Sequence, residues 1–162
     1  MDTIHINLGN DSYDITIDSG LIRRAGPSIA KLTGAGKAAI ITEDGIDRLY
    51  GMDLVKSLEA AGLRTQMIVV PSSEKSRSLA IVNRVYGALV DFGLSSDDVL
   101  IALGGRIVGD VTGFAAATYH RGIQYIQFPT SVLSQIGSAI GGKITLDIAA
   151  GERTVGAIFH PQ

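Results

Sequence analysis

Cysteine is absent from the 162 residues, which excludes disulfides and thiolate metal sites outright. That absence accords with a reducing cytosol. Histidine is nearly as scarce: His5, His120 and His160 lie far apart, with neither H-E-x-x-H nor H-x-x-E-H spacing, so no histidine metal site is expected within this chain. A G-x-S-x-G elbow and a complete Walker loop are also missing. No run of like charge stands out as a tail, and the formal net charge is only -2, which argues against general affinity for nucleic acid or an anionic membrane. The longest apolar stretches fall well short of the ~20 residues that span a bilayer. The opening segment MDTIHINLGNDSYDITI lacks a basic leader and an apolar core, so it is not read as a signal peptide, and a soluble cytoplasmic protein is expected. Prolines number four against twenty glycines, and the glycines cluster at 104–113 and 137–142.

Hydrophobic residues make up 46% of the chain, enough for a full core in a single domain covering 1–162. A globule of this size buries roughly 70% of its extended-chain surface. Alternation in Ile4–Leu8 and Tyr13–Ile17 around Gly9-Asn10-Asp11-Ser12 predicts an antiparallel hairpin. Leu21, Ile22, Ile29 and Leu32 suggest a helix ending near Gly34. Short apolar runs at 37–42, 65–70, 99–103 and 123–128 read as strands. Helical spacing follows over 46–58, 79–90, 111–119 and 132–140. Strands recur every ~30 residues, the length of a βαβ unit. The expected fold is α/β: an open, mostly parallel, Rossmann-like sheet with an N-terminal antiparallel hairpin.

In such a sheet, ligands bind beyond the carboxyl ends of the strands. Gly104 and Gly105 directly follow a strand, where backbone amides and a helix head suit a phosphate. The same glycines equally suit a tight turn with close helix–sheet packing. Glu43, at the end of another strand, is placed to accept from ribose hydroxyls, although an N-cap by Asp44 is the better local reading. Thr130 and Ser131 follow the strand at 123–128 and suit either capping or cofactor contact. Lys143, on the Gly141-Gly142 pair, suits either an anionic substrate or plain solvation.

Taken in order, these turns resemble the 3-dehydroquinate synthase family. The most specific stretch is LGGRIVGDVTGFAAATYHRGIQYIQFPTSVLSQIGSAIGGK, from 103 to 143. It is similar to the family's GGGxxGD turn, AATYxRG helix end, PTT strand exit and DSSxGGK segment, in the same order and spacing. The resemblance runs along essentially the whole chain, as the family's N-terminal, NAD-binding domain. It implies an NAD- and metal-dependent lyase, usually with zinc, that converts a seven-carbon keto-acid phosphate of the shikimate pathway into 3-dehydroquinate. By motif position, Glu43 matches a contact to the adenosine ribose, and Glu74 and Arg77 fall on the ends of the family's GExxK loop. Gly104, Gly105 and Asp110 match the dinucleotide turn and the aspartate near the nicotinamide, and Thr130 and Ser131 match the paired threonines at the cofactor. Lys143 matches the substrate-binding lysine, and Arg121 an arginine that reaches the substrate of a neighbouring subunit, which implies a homodimer.

The departures concentrate on the ligand side. Arg106 stands in place of the third glycine, where it could pair with pyrophosphate or obstruct it. Arg77 replaces a lysine, Gly137 the aspartate of DSSxGGK, and Glu152-Arg153 a Lys-Asn pair. The family's metal ligands, a glutamate and two histidines, belong to a helical C-terminal domain with no counterpart here, so an incomplete polypeptide, inactive alone and prone to self-association, is expected. Two alternatives stand beside the synthase reading: a non-catalytic nucleotide-binding relative, and another sugar phosphate cyclase or a metal-dependent polyol dehydrogenase on the same scaffold.

Overall fold

The computed structural model describes residues Met1–Gln162. Strands β1 (Asp2–Ile6) and β2 (Tyr13–Ile17) pair antiparallel, with Asp2 opposite Ile17 and Ile6 opposite Tyr13. The chain then enters the α/β body through helix α1 (Gly26–Thr33), strand β3 (Lys37–Glu43), helix α2 (Met52–Ala60) and strand β4 (Arg64–Val70). Helix α3 (Leu79–Phe92), strand β5 (Val99–Gly104), helix α4 (Arg106–Thr118) and strand β6 (Gln124–Pro129) continue the alternation. Helix α5 (Val132–Gly137) and an antiparallel pair, β7 (Lys143–Ile148) and β8 (Gly151–Ile158), complete it. The central sheet is wholly parallel in the order β4-β3-β5-β6. No helix is long and apolar enough to cross a membrane.

Period-two geometry explains the layering. Ala39, Ile41, Leu100 and Ala102 point to one face, where Val82, Val85 and Leu89 of α3 and Val108, Val111 and Ala115 of α4 cover them. Ala38, Ile40, Val99, Ile101 and Leu103 point to the other, against Ile29 of α1 and Leu54 and Leu58 of α2. β5 is buried along its whole length, as a central parallel strand should be. Each large aliphatic side chain sealed in this way contributes roughly 1.5–3 kcal/mol.

Four local expectations need correction. The helix expected from Leu21 is a short 3-10 turn, Leu21–Arg24, followed by α1, because Pro27 can start a helix but cannot continue one. The helix expected at 111–119 begins five positions earlier: Gly105 is its N-cap, so Arg106 lies in the first turn rather than in a loop. The helix expected over 132–140 stops at Gly137, ahead of the glycine-rich turn. Asp44 caps nothing; its carboxylate pairs with Arg48 at 3.0 Å on the surface. The β7–β8 hairpin was not anticipated. β7 packs against α4 because Gly113 has no side chain: a Cβ there would lie 2.6 Å from Ile144 Cδ1.

Candidate functional site

The carboxyl ends of β3, β4 and β5 converge on the head of α4. Gly104 closes β5 with no room for a side chain, since a Cβ would meet Val108 Cγ2 at 2.7 Å. Its carbonyl accepts the Thr130 N–H at 3.0 Å, which ties the exit of β6 to the turn. The Gly105 N–H donates to Glu43 Oε1 at 3.1 Å, while the Ser72 hydroxyl donates to Glu43 Oε2 at the same distance. An anionic oxygen thus already sits at the head of a helix with no side-chain cap of its own, the electrostatics that suit a phosphate. Ser72, beyond β4, was not singled out from sequence, and no motif marks it.

Asp110, one turn into α4, is a buried carboxyl. Its Oδ1 accepts the Thr145 N–H at 3.3 Å, but its buried Oδ2 has no hydrogen-bond partner. Arg77 Nη1 and Arg106 Nε each stand 3.9 Å from that oxygen, within Coulomb range but too far to donate. Burial pushes the Asp110 carboxyl above its ordinary range, against the pull of the Thr145 amide and of Arg106 and Arg77. Arg106 therefore turns back along its own helix, in i,i+4 register, toward Asp110.

Arg77 is buried, and its Nε and Nη2 both donate to Asp147 Oδ2, at 3.2 and 3.0 Å. The Asp147 N–H returns a bond to the Arg77 carbonyl at 2.8 Å, so the loop after β4 is stitched to β7. Asp147 Oδ1 accepts the Arg153 N–H at 2.7 Å. The Arg153 amide, and then Arg77, hold the Asp147 carboxyl below its ordinary range against the opposing effect of burial. Asp147 was missed in the sequence because nothing local marks it as the partner of a residue seventy positions away. Glu74 is exposed and lies 3.6 Å from Arg77.

The remaining candidates divide. Ser131 caps α5, its hydroxyl accepting the Ser134 N–H at 3.2 Å in a reciprocal capping box. Lys143 opens β7 with its side chain exposed. Arg121 is not brought to this site: it lies past the far end of α4, whose 13 residues span about 20 Å. There His120 and Arg121 hold left-handed backbone, φ 49° and 68°, with the His120 ring against the Leu94 carbonyl. No group of three or more His, Asp or Glu side chains is arranged to hold a metal ion. A hollow of about 540 Å³ lies elsewhere, between the N-terminal hairpin and β6; Thr130 lines it, but Glu43, Gly105 and Asp110 do not.

Residues 67–162 match the family described as 3-dehydroquinate synthase N-terminal. The 3-dehydroquinate synthase of Clostridium acetobutylicum is 41% identical over 162 residues, covering 100% of this chain and 46% of that protein. The chain thus spans about half the length of the curated relatives it matches. Among solved structures, 2-deoxy-scyllo-inosose synthase complexed with carbaglucose-6-phosphate, NAD+ and Co2+ superposes with a TM-score of 0.89 over 99% of this chain and 43% of that one; at 18% identity the likeness is one of fold. ValA, the 2-epi-5-epi-valiolone synthase of Streptomyces hygroscopicus, solved with NAD+ and Zn2+ bound, gives a TM-score of 0.81 at 26% identity, covering 96% of this chain and 42% of that one.

Proposed function

The chain belongs to the 3-dehydroquinate synthase family, and from that premise we propose that it is the NAD-binding portion of a lyase acting on a seven-carbon keto-acid phosphate. The observation that carries the reading is the convergence of Glu43, Ser72 and Gly105 at the head of α4, with the orphaned Oδ2 of Asp110 one turn further on. These residues fit a dinucleotide: the amides of the first turn of α4 beyond Gly105 for the pyrophosphate, a carboxylate for the ribose hydroxyls, and an unsatisfied buried acceptor for a donor on the cofactor. When bound, NAD supplies reversible acceptance of hydride. The chain's own residues bind and orient: Glu43 takes the ribose, Gly104 and Gly105 admit the phosphates, and Lys143 holds an anionic group of the substrate.

Zinc does not fit this portion, because no three suitable side chains meet. The chain alone is therefore proposed to be inactive, and turnover by the purified chain with NAD and zinc would overturn that. Arg121, at the opposite end of α4, is proposed to serve a neighbouring subunit in a homodimer. Val132, Leu133, Ile136 and Ile140 are exposed apolar residues on and just after α5 and favour self-association; a single protomer mass by light scattering across concentration would refute it. A cytoplasmic location accords with the lack of cysteine, and recovery of the native protein from the secreted fraction would count against it.

One observation favours a second reading, a nucleotide-binding relative without synthase activity: Arg106 stands in the first turn of α4, at the mouth of the phosphate turn. Calorimetric titration of NAD into this chain and into Arg106→Gly separates the two. Saturable binding by both is the expected result. Binding by the glycine variant alone would favour the second reading, and binding by neither would sink the nucleotide site in this portion.

A further inference from the structure

The turn that carries Lys143 is held from the opposite end of the sequence. Tyr13, in β2, is 5% exposed, and its hydroxyl reaches across to residues 139–141. Tyr13 Oη donates to the Ala139 carbonyl at 2.8 Å and accepts the Gly141 N–H at 3.4 Å. One phenol thus closes the turn between residues i and i+2. Its ring stacks on His160, with centroids 6.1 Å apart and planes inclined by 27°. His160 in turn lies flush against Gly142, where an added Cβ would come within 2.4 Å of Nδ1. The Phe159 N–H donates to the Gly142 carbonyl at 2.9 Å, which fixes the other side of the same glycine.

Gly141 and Gly142 adopt φ of 103° and 60°, conformations that side-chain-bearing residues seldom take. A glycine pair left to itself samples widely, and the lysine it carries would lose that freedom on binding a ligand. Here both glycines are fixed beforehand by two aromatic rings, one from each end of the sequence.

We propose that Tyr13, backed by His160, is the positioning residue for Lys143: the hairpin clasps the glycine pair so that the lysine leaves it in one direction. The proposal rests on the reading above that Lys143 holds an anionic group of the substrate. Tyr13 touches neither Glu43 nor the head of α4, so the clasp acts on the lysine and leaves the nucleotide turn unaffected.

Tyr13→Phe keeps the ring stacked and removes both hydrogen bonds. Hydrogen exchange of the Gly141 amide, followed by NMR, should quicken about tenfold in this variant, since one of its closing bonds is gone. Lys143 reactivity toward acetic anhydride, with Lys31, Lys37, Lys56 and Lys75 as internal standards, should be suppressed by inorganic phosphate in the unaltered chain. Half-suppression should need roughly five- to tenfold more phosphate in Tyr13→Phe, while NAD affinity stays within twofold. His160→Gln, which removes the ring beneath Gly142 and leaves the Tyr13 hydroxyl, serves as the second variant and should quicken exchange of the Phe159 amide, which donates to the Gly142 carbonyl. Exchange unchanged in both variants overturns the clasp. Faster exchange with unaltered phosphate protection makes Tyr13 a structural residue only and overturns its positioning role. If phosphate fails to protect Lys143 in the unaltered chain while exchange still quickens in the variants, the clasp stands and the substrate role of the lysine falls.

Discussion

Glu43→Gln separates the cofactor role of this carboxylate from its structural one. In the folded chain, one carboxylate oxygen accepts the Gly105 N–H and the other accepts the Ser72 hydroxyl, each at 3.1 Å. A carboxamide keeps an acceptor oxygen for Gly105, and its NH2 can donate to the Ser72 oxygen instead. The structural loss is then chiefly the negative charge at the head of α4, about 0.3–1 kcal/mol. The melting temperature should fall by no more than about 2–4 °C. The ribose is affected differently, because two neighbouring hydroxyls need two acceptors and the amide offers one. Losing one charge-assisted hydrogen bond costs about 1.5–3 kcal/mol, which corresponds to an NAD affinity roughly ten- to a hundredfold weaker. Glu43→Ala should lose at least as much affinity. It should also cost about 1–2 kcal/mol of stability, since it strands both donors. Calorimetric titration with NAD and urea unfolding, run on the same preparations, give the two quantities together. An NAD affinity for Glu43→Gln within twofold of the unaltered chain would refute the ribose assignment, whatever happened to stability.

Asp110 supplies a test with a defined sign. Burial raises its folded pKa above the ordinary 3.8, so the folded chain holds this proton to higher pH than the unfolded chain does. Its contribution to stability is therefore full below 3.8 and is lost as pH rises through the folded value. Asp110→Asn removes that slope, so the variant should gain on the unaltered chain in urea unfolding as pH rises from about 4 to about 7. A constant difference across that range would contradict the assignment. Arg153 holds φ 52° while its N–H bonds Asp147. Asparagine tolerates left-handed backbone better, so Arg153→Asn should raise stability by about 0.5–1 kcal/mol in urea unfolding; a lowered midpoint would count against strain at this position.

Wherever the deciding forces are local, the sequence was legible. The runs at 37–42, 65–70, 99–103 and 123–128 became β3–β6 to within one or two residues. The central strands β3 and β5, buried on both faces, leave nearly continuous apolar runs, and the edge strands β4 and β6 are marked by their β-branched and aromatic residues. The alternating N-terminal segments paired as expected around their Gly/Asn/Asp turn. The comparisons also bear out the family resemblance carried by the 103–143 stretch. The β7–β8 hairpin was overlooked although Ile144, Leu146 and Ile148 alternate: its glycine-rich approach and exposed second strand carry little apolar signal. The start of α4 was missed because glycine at an N-cap looks in sequence like glycine in a loop.

The sequence by itself determined the alternation of strands and helices from β3 to α5, the placing of glycines at the end of β5 and before β7, and the residue types able to meet a dinucleotide. Those follow from hydrophobic periodicity and from backbone conformations that only glycine reaches with ease. Tertiary structure alone decided which charges meet: Arg77 with Asp147 rather than in open solvent, Arg106 turned toward Asp110, Glu43 on Gly105, and Tyr13 over the glycine pair. Each of these contacts joins elements that are distant in sequence, or chooses among rotamers of a long side chain. Both choices depend on packing geometry and local burial, and neither leaves a periodic trace along the chain.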